Sequence, residues 1–187
     1  MVTPTDPRPI RPASPAYLAL VATPTRRLSK VMRRGGTPDF NLLSGWEWRG
    51  TNLPASSRLL GIRRFIKGFH TADGRALGYN VSVVGSDLTS PWTERAQRDG
   101  RREWARFTVT PVDAAATNNR YLNALFLDYG AVETPEAGLA GGLRDYLVQV
   151  SPGSDELLLG HAFLAVANLR VPVGWFALER LQQIQEA

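Results

Sequence analysis

Lys67 and Asn80 are the first residues in this chain that could act together on a ligand, because the stretch between them fixes how they meet. An ammonium beside a carboxamide can hold a carboxylate, a carbonyl or an enolate through charge-assisted and neutral hydrogen bonds. Between them stands Asp73-Gly74, a dipeptide preferred in two-residue type I′ hairpin turns. Counting outward from that turn pairs Lys67 with Asn80, Phe65 with Ser82, Phe69 with Gly78 and Arg63 with Val84 on one face. The other face carries His70 with Leu77, Gly68 with Tyr79, Ile66 with Val81 and Arg64 with Val83, and is largely apolar.

Three readings of the mixed face stay open. In a half-buried sheet the Leu77/Tyr79/Val81 face would meet the core, leaving Lys67 and Asn80 in water. Two phenylalanines bracketing the lysine suit a wet face poorly, although Phe69 could cover the gap at Gly78. In a barrel covered by helices the same face could line a cavity. As a polyanion grip the stretch is weaker, because Arg64 falls on the opposite side from Arg63 and Lys67.

Two other segments place polar groups in apolar surroundings, "LFLDYG" (125–130) and "GLRDYLVQV" (142–150). A buried charge is costly unless paired, so Asp128, Arg144 and Asp145 are read first as facing water or pairing across strands. A sharper reading sends Tyr146 into the barrel beside Lys67 and Asn80, where phenol, ammonium and amide converge on a carboxylate or enolate. Burial shifting the lysine or tyrosine would allow proton transfer on a bound carbonyl compound. Tyr79, on the opposite hairpin face, is a further candidate contact. His161, in "LLLGHAFLAV", is read first as a hydrogen-bonded core histidine and second as a ligand contact.

The elements that must position these residues follow from composition and punctuation. The chain of 187 residues, 43% hydrophobic with 17 Gly and 13 Pro, suits one turn-rich globular domain. With no cysteine, disulfides and thiolate chemistry are excluded, and two histidines make an all-protein zinc site improbable. The net charge of +5 splits into +9 over residues 1–70 (12 Lys+Arg, 3 Asp+Glu) and −4 over the remainder (10 and 14). There is no stretch of about 20 apolar residues for a membrane span and no secretory core, so the expected setting is cytoplasmic. Phosphate loops, dinucleotide fingerprints, nucleophile elbows and zincin motifs are missing.

Residues 1–13 hold four prolines and read as a disordered arm. Ser14-Pro15 and Thr23-Pro24 announce two helices, and Thr37–Leu43 one more turn, giving a basic helical lead-in over 14–44. Its Arg26, Arg27, Lys30, Arg33 and Arg34 could neutralise phosphates, with Arg63 and Arg64 nearby; nucleic-acid binding ranks below the pocket reading. From residue 45 onward come eight short alternating segments: Trp46–Asn52, Ile62–Thr71, Ala76–Val84, Trp104–Thr110, Tyr121–Tyr129, Leu143–Val150, Leu157–Val166 and Val173–Arg180. Leu157–Val166 also fits a buried helix, and the last segment could give way to one.

"LLSGWEWRGTN" (42–52), placed after a short helical lead-in and at the head of the strand series, resembles the calycin group of lipocalins and nitrobindin-like proteins. The resemblance implies an eight-stranded antiparallel up-and-down barrel. It also implies that Trp46 or Trp48 closes one end with Arg180 packed across it, and that His161 is the position from which a haem would be held, if any cofactor is. Spacing departs from the lipocalin Gly-x-Trp, and "WRG" is nearer the nitrobindin-like pattern. The expectation is a mainly-β barrel without cofactor that binds a small apolar or amphipathic, possibly acidic, ligand through Lys67, Asn80, Tyr146, His161 and Tyr79. A cofactor-free isomerase or cyclase in the same pocket is the alternative, and no oligomeric state is implied.

Overall fold

The computed structural model describes residues 12–53, 61–95, 102–132 and 138–184. Residues 1–11 of the expected proline-rich arm lie outside these. Helix α1 (Pro15–Val21) starts where the Ser14 hydroxyl accepts from the Tyr17 amide, with Pro15 in the first turn, where no partner for its nitrogen is needed. Helix α2 (Thr25–Arg34) begins one residue later than Thr23-Pro24 suggests. Pro24 is extended, outside the helix, and the Thr23 hydroxyl donates back to the Ala19 carbonyl. Asp39 caps the single turn of α3 (Phe40–Leu43).

Eight strands follow: β1 (Trp46–Asn52), β2 (Arg64–Ala72), β3 (Arg75–Ser82), β4 (Glu103–Pro111), β5 (Leu125–Asp128), β6 (Leu143–Gln149), β7 (Leu157–Val166) and β8 (Leu169–Gln183). They form a closed antiparallel barrel in sequence order, β8 returning to pair with β1. The β2–β3 register is the one counted from Asp73-Gly74, whose φ values of 51° and 70° are those of a type I′ turn. Leu157–Val166 is a strand, and the chain after Val173 stays extended instead of turning helical. Closure explains this: β8 must pair with β7 from Leu169 to Glu179 and with β1 as far as Gln183, and that ladder overrides the local apolar period. Tyr121–Ala124 is not part of β5, because this segment crosses the outside of the barrel.

Much of the wall is buried on both sides. Trp48, Phe69, Phe107, Leu127, Leu147 and Phe176 form an inner layer. Outside, Ile66, Val81, Val148 and Leu159 pack with Tyr17 of α1, Leu28 and Met32 of α2, and Trp92 of the segment after β3. Several polar side chains caught under this outer layer are paired. The Tyr17 hydroxyl lies 2.6 Å from the Thr51 hydroxyl, Arg49 bonds Glu179 at 3.2 Å, and Arg64 packs 4.1 Å over Trp92 while donating to the Ser90 and Pro91 carbonyls. Arg64 is therefore structural. No described helix is long and apolar enough to cross a membrane.

Candidate functional site

One end of the barrel is filled. Leu43 of α3 is fully buried there, Trp48 meets Phe69 edge to face at 6.5 Å, and Phe69 meets Phe107 at 5.8 Å. The Arg180 guanidinium lies 4.8 Å from the Trp46 ring and 5.2 Å from that of Trp48, with its Nη2 donating to the Leu42 carbonyl. Cation–π packing of this kind suits a surface where an aromatic plug meets water.

Toward the opposite end the inner layer opens into a cavity of about 290 Å³. Ile62, Phe65, Leu143, Leu164, Val173 and Phe176 supply apolar walls. Small residues make the room: a methyl added at Gly160 would strike the Phe176 ring, and one at Gly50 the Phe65 ring, so both rings lie flat over glycine. Ile62, Leu143, Leu164 and Val173 are half-buried and form the rim.

The inner part of the cavity is polar. Lys67, Asn80, Tyr129 and Asp145 line it and are almost completely buried. Lys67 Nζ donates to Asn80 Oδ1 at 2.9 Å and to the Tyr129 hydroxyl at 2.6 Å. That hydroxyl donates in turn to Asp145 Oδ2 at 3.0 Å, while Nζ and Oδ2 are 4.0 Å apart. Lysine and aspartate are thus joined through a phenol. The Lys67 ammonium also sits 4.3 Å from the Phe107 ring.

Asn80 is held by a bulge. Between Gly78 and Asn80 the β3–β4 register slips by one residue on β4, and Ala105 there takes a left-handed φ of 45°. This orients the Ala105 carbonyl to accept from Asn80 Nδ2 at 3.1 Å, leaving Oδ1 for Lys67. Asp145 keeps one oxygen, Oδ1, with no hydrogen-bond partner among the described residues. A buried acceptor left unmatched is uncommon and costly.

Burial disfavours each charge. It lowers the Lys67 amine to about 8, against the opposing pull of Asp145, and raises the Asp145 carboxyl to about 6, against Lys67 and the Tyr129 bond. Burial, and then the Asp145 charge, hold the Tyr129 phenol well above its usual range.

Of the residues expected here, Lys67 and Asn80 face the cavity and three do not. Tyr146 points outward and packs against Tyr121, Phe126 and Phe163 at 5.3–5.6 Å. His161 is outside as well, stacked 3.7 Å on Trp175, its Nδ1 2.8 Å from the Tyr121 hydroxyl. Burial, with Arg120 adding to it, drops its pKa to about 4, so it is neutral near pH 7. It does not line the cavity. Tyr79 lies over Gly68 on the outer face and donates to Glu47 Oε1 at 2.8 Å. The reason is the same for all three: each stands in a strand buried on both sides, so an apolar setting does not reveal which side is the interior.

Tyr129, to which the sequence reading gives no role, and Asp145, read there as facing water or pairing across strands, are the residues it does not bring to the site. Each is one position along from a residue it placed correctly, since Asp128 and Arg144 do pair across strands, at 3.1 Å on the outside. Alternation then sends Tyr129 and Asp145 inward, and that pairing was the available signal. Compared with known proteins, the sequence matches no protein-family model and no curated protein.

Proposed function

We propose that the barrel binds a small apolar or amphipathic molecule in its interior. The observation that carries this is the cavity of about 290 Å³, mostly apolar at its walls and rim, with a buried polar cluster in its inner part. It stands near the lower end of the about 300–1,000 Å³ usual for small-molecule sites, and a few convergent polar groups in an apolar cleft are the usual form of such sites. The calycin-like reading belongs to the same proposal. It is supported by the up-and-down order of eight strands after a short helical lead-in, and by Arg180 packed on Trp46 and Trp48.

A second reading, a cofactor-free isomerase or cyclase, is favoured by the Lys67–Tyr129–Asp145 chain. There Asp145 would take a proton from carbon next to a carbonyl whose oxygen is held by Lys67. Nucleic-acid binding has less support: Lys67 is inside the barrel and Arg64 is buried under Trp92, so the cations of the 63–67 stretch form no common surface.

Native mass spectrometry of protein purified from its own source tests the main reading by revealing a co-purifying small molecule. In parallel, the neutral fluorophore N-phenylnaphthylamine should bind with enhanced emission. Absence of both a retained molecule and probe binding would remove the proposal. Conversion of a bound carbonyl compound, lost on Asp145→Asn, would favour the enzyme over the carrier.

A further inference from the structure

We propose that the ligand is a neutral amphiphile: a hydroxyl group bound at Asp145 on a chain-like apolar body that leaves the cavity and lies along the inner face of the β7–β8 hairpin. This rests on reading the cavity as a ligand site, and two independent observations specify the ligand.

The first is the state of the polar cluster. Lys67 already has two acceptors and faces the Asp145 charge at 4.0 Å, so the cluster is balanced without a ligand. A ligand carboxylate would add an unbalanced negative charge inside an apolar chamber, and an ammonium would sit beside Lys67; both are unfavourable. The cluster also holds one acceptor without a donor, Asp145 Oδ1, which has no hydrogen-bond partner among the described residues; a hydroxyl can donate to it, and an ether or a carboxylate cannot. The terminal torsion of an aspartate is soft, so a small rotation offers that oxygen to a hydroxyl entering the cavity. An ionised carboxylate accepts and cannot donate, which sets the polarity of the bond.

The second observation is the hairpin. Leu164, a cavity residue, pairs with Val171, and Val166 pairs with Leu169. By strand alternation all four lie on the side of the sheet that faces the cavity. Beyond the rim, Val166, Leu169 and Val171 are 47%, 64% and 45% exposed. The opposite side of the hairpin is occupied, with Arg120 lying over Phe163 and donating to the Arg170 carbonyl. The exposed aliphatic strip therefore continues the cavity wall outward, and an alkyl or isoprenoid chain rooted at Asp145 would cover it.

Displacement of N-phenylnaphthylamine at about pH 7 tests the inference. Decanol should compete about tenfold better than either decanoate or the methyl ether of nonanol, the margin expected of one hydrogen bond to a charged group. The Lys67→Met/Asp145→Leu double variant, which removes both charges together, should bind the ether at least as well as the alcohol. Affinity should rise from hexanol to dodecanol, and Leu169→Ser/Val171→Ser should abolish the gain for dodecanol while leaving hexanol unchanged. If the probe does not bind and the purified protein retains no small molecule, the cavity reading fails and takes this inference with it. If the probe binds but alcohol, ether and carboxylate compete equally, or the carboxylate wins, the cavity reading stands and the inference is overturned. A hairpin variant that changes self-association in sedimentation, and not chain-length dependence, would assign the strip to a second copy of the chain and overturn that half.

Discussion

Lys67 shows why a buried charge must be judged with its surroundings. Its ammonium survives inside the barrel because Asn80 and Tyr129 accept from it and Asp145 opposes its charge. Removing one member strands the other: Lys67→Ala should destabilise by about 3–5 kcal/mol at neutral pH, whereas Lys67→Met/Asp145→Leu should be neutral or stabilising by up to about 4 kcal/mol. Denaturant melts of the three proteins check this. The pair also sets a pH signature. Asp145 is raised in the fold to about 6, so its contribution is fully present below the unfolded value near 4 and is lost as pH rises through 6. Lys67 is lowered to about 8, so its contribution is present above the unfolded value near 10.5 and is lost as pH falls through 8. Both penalties overlap between about pH 6 and 8. Of the groups facing the pair, Asn80 from β3 carries no titrating proton in this range, and the Tyr129 phenol after β5 is held well above it. The Tm advantage of the double variant over the wild type should therefore be largest there and shrink on either side. A constant difference from pH 4 to 10 would contradict the assignment.

At the scale of elements, the β2–β3 hairpin and the glycines opposite aromatic rings do most of the positioning. Gly74 has open space around a would-be methyl but a φ of 70°. Gly74→Ala should therefore cost only its backbone strain, about 1–2 kcal/mol, without altering ligand binding. Gly160→Ala differs, because its methyl would drive the Phe176 ring toward the cavity. We expect a loss of about 1–3 kcal/mol together with weakened binding of N-phenylnaphthylamine, measured on the same preparation. The hairpin register was legible because Asp73-Gly74 dictates it from two residues. β5 was not, because Tyr121 carries the same aromatic character whether it continues a strand or, as here, packs on the outside of one.

Across the whole molecule, two apolar layers share one wall, and they can be separated by experiment. Trp92 belongs to the outer layer, covering Arg64, and does not line the cavity. Trp92→Ala should lower stability by about 3–5 kcal/mol, yet leave the affinity of the still-folded protein for N-phenylnaphthylamine unchanged; a parallel loss of affinity would show that the layers are coupled. The sequence by itself determined the strand count, the hairpin pairing, the helical lead-in and the pairing of Lys67 with Asn80, because turn chemistry and alternation act over a few residues. Which side of the wall Tyr146, His161 and Tyr79 face, and that Asp145 and Tyr129 complete the Lys67 cluster, was decided only by the tertiary structure. Where α1, α2 and the Trp92 segment cover the outside, both sides of the strands are dry, and an apolar neighbourhood no longer distinguishes inside from outside. Closure supplied that distinction by bringing β2, β3 and β6 together around one cavity.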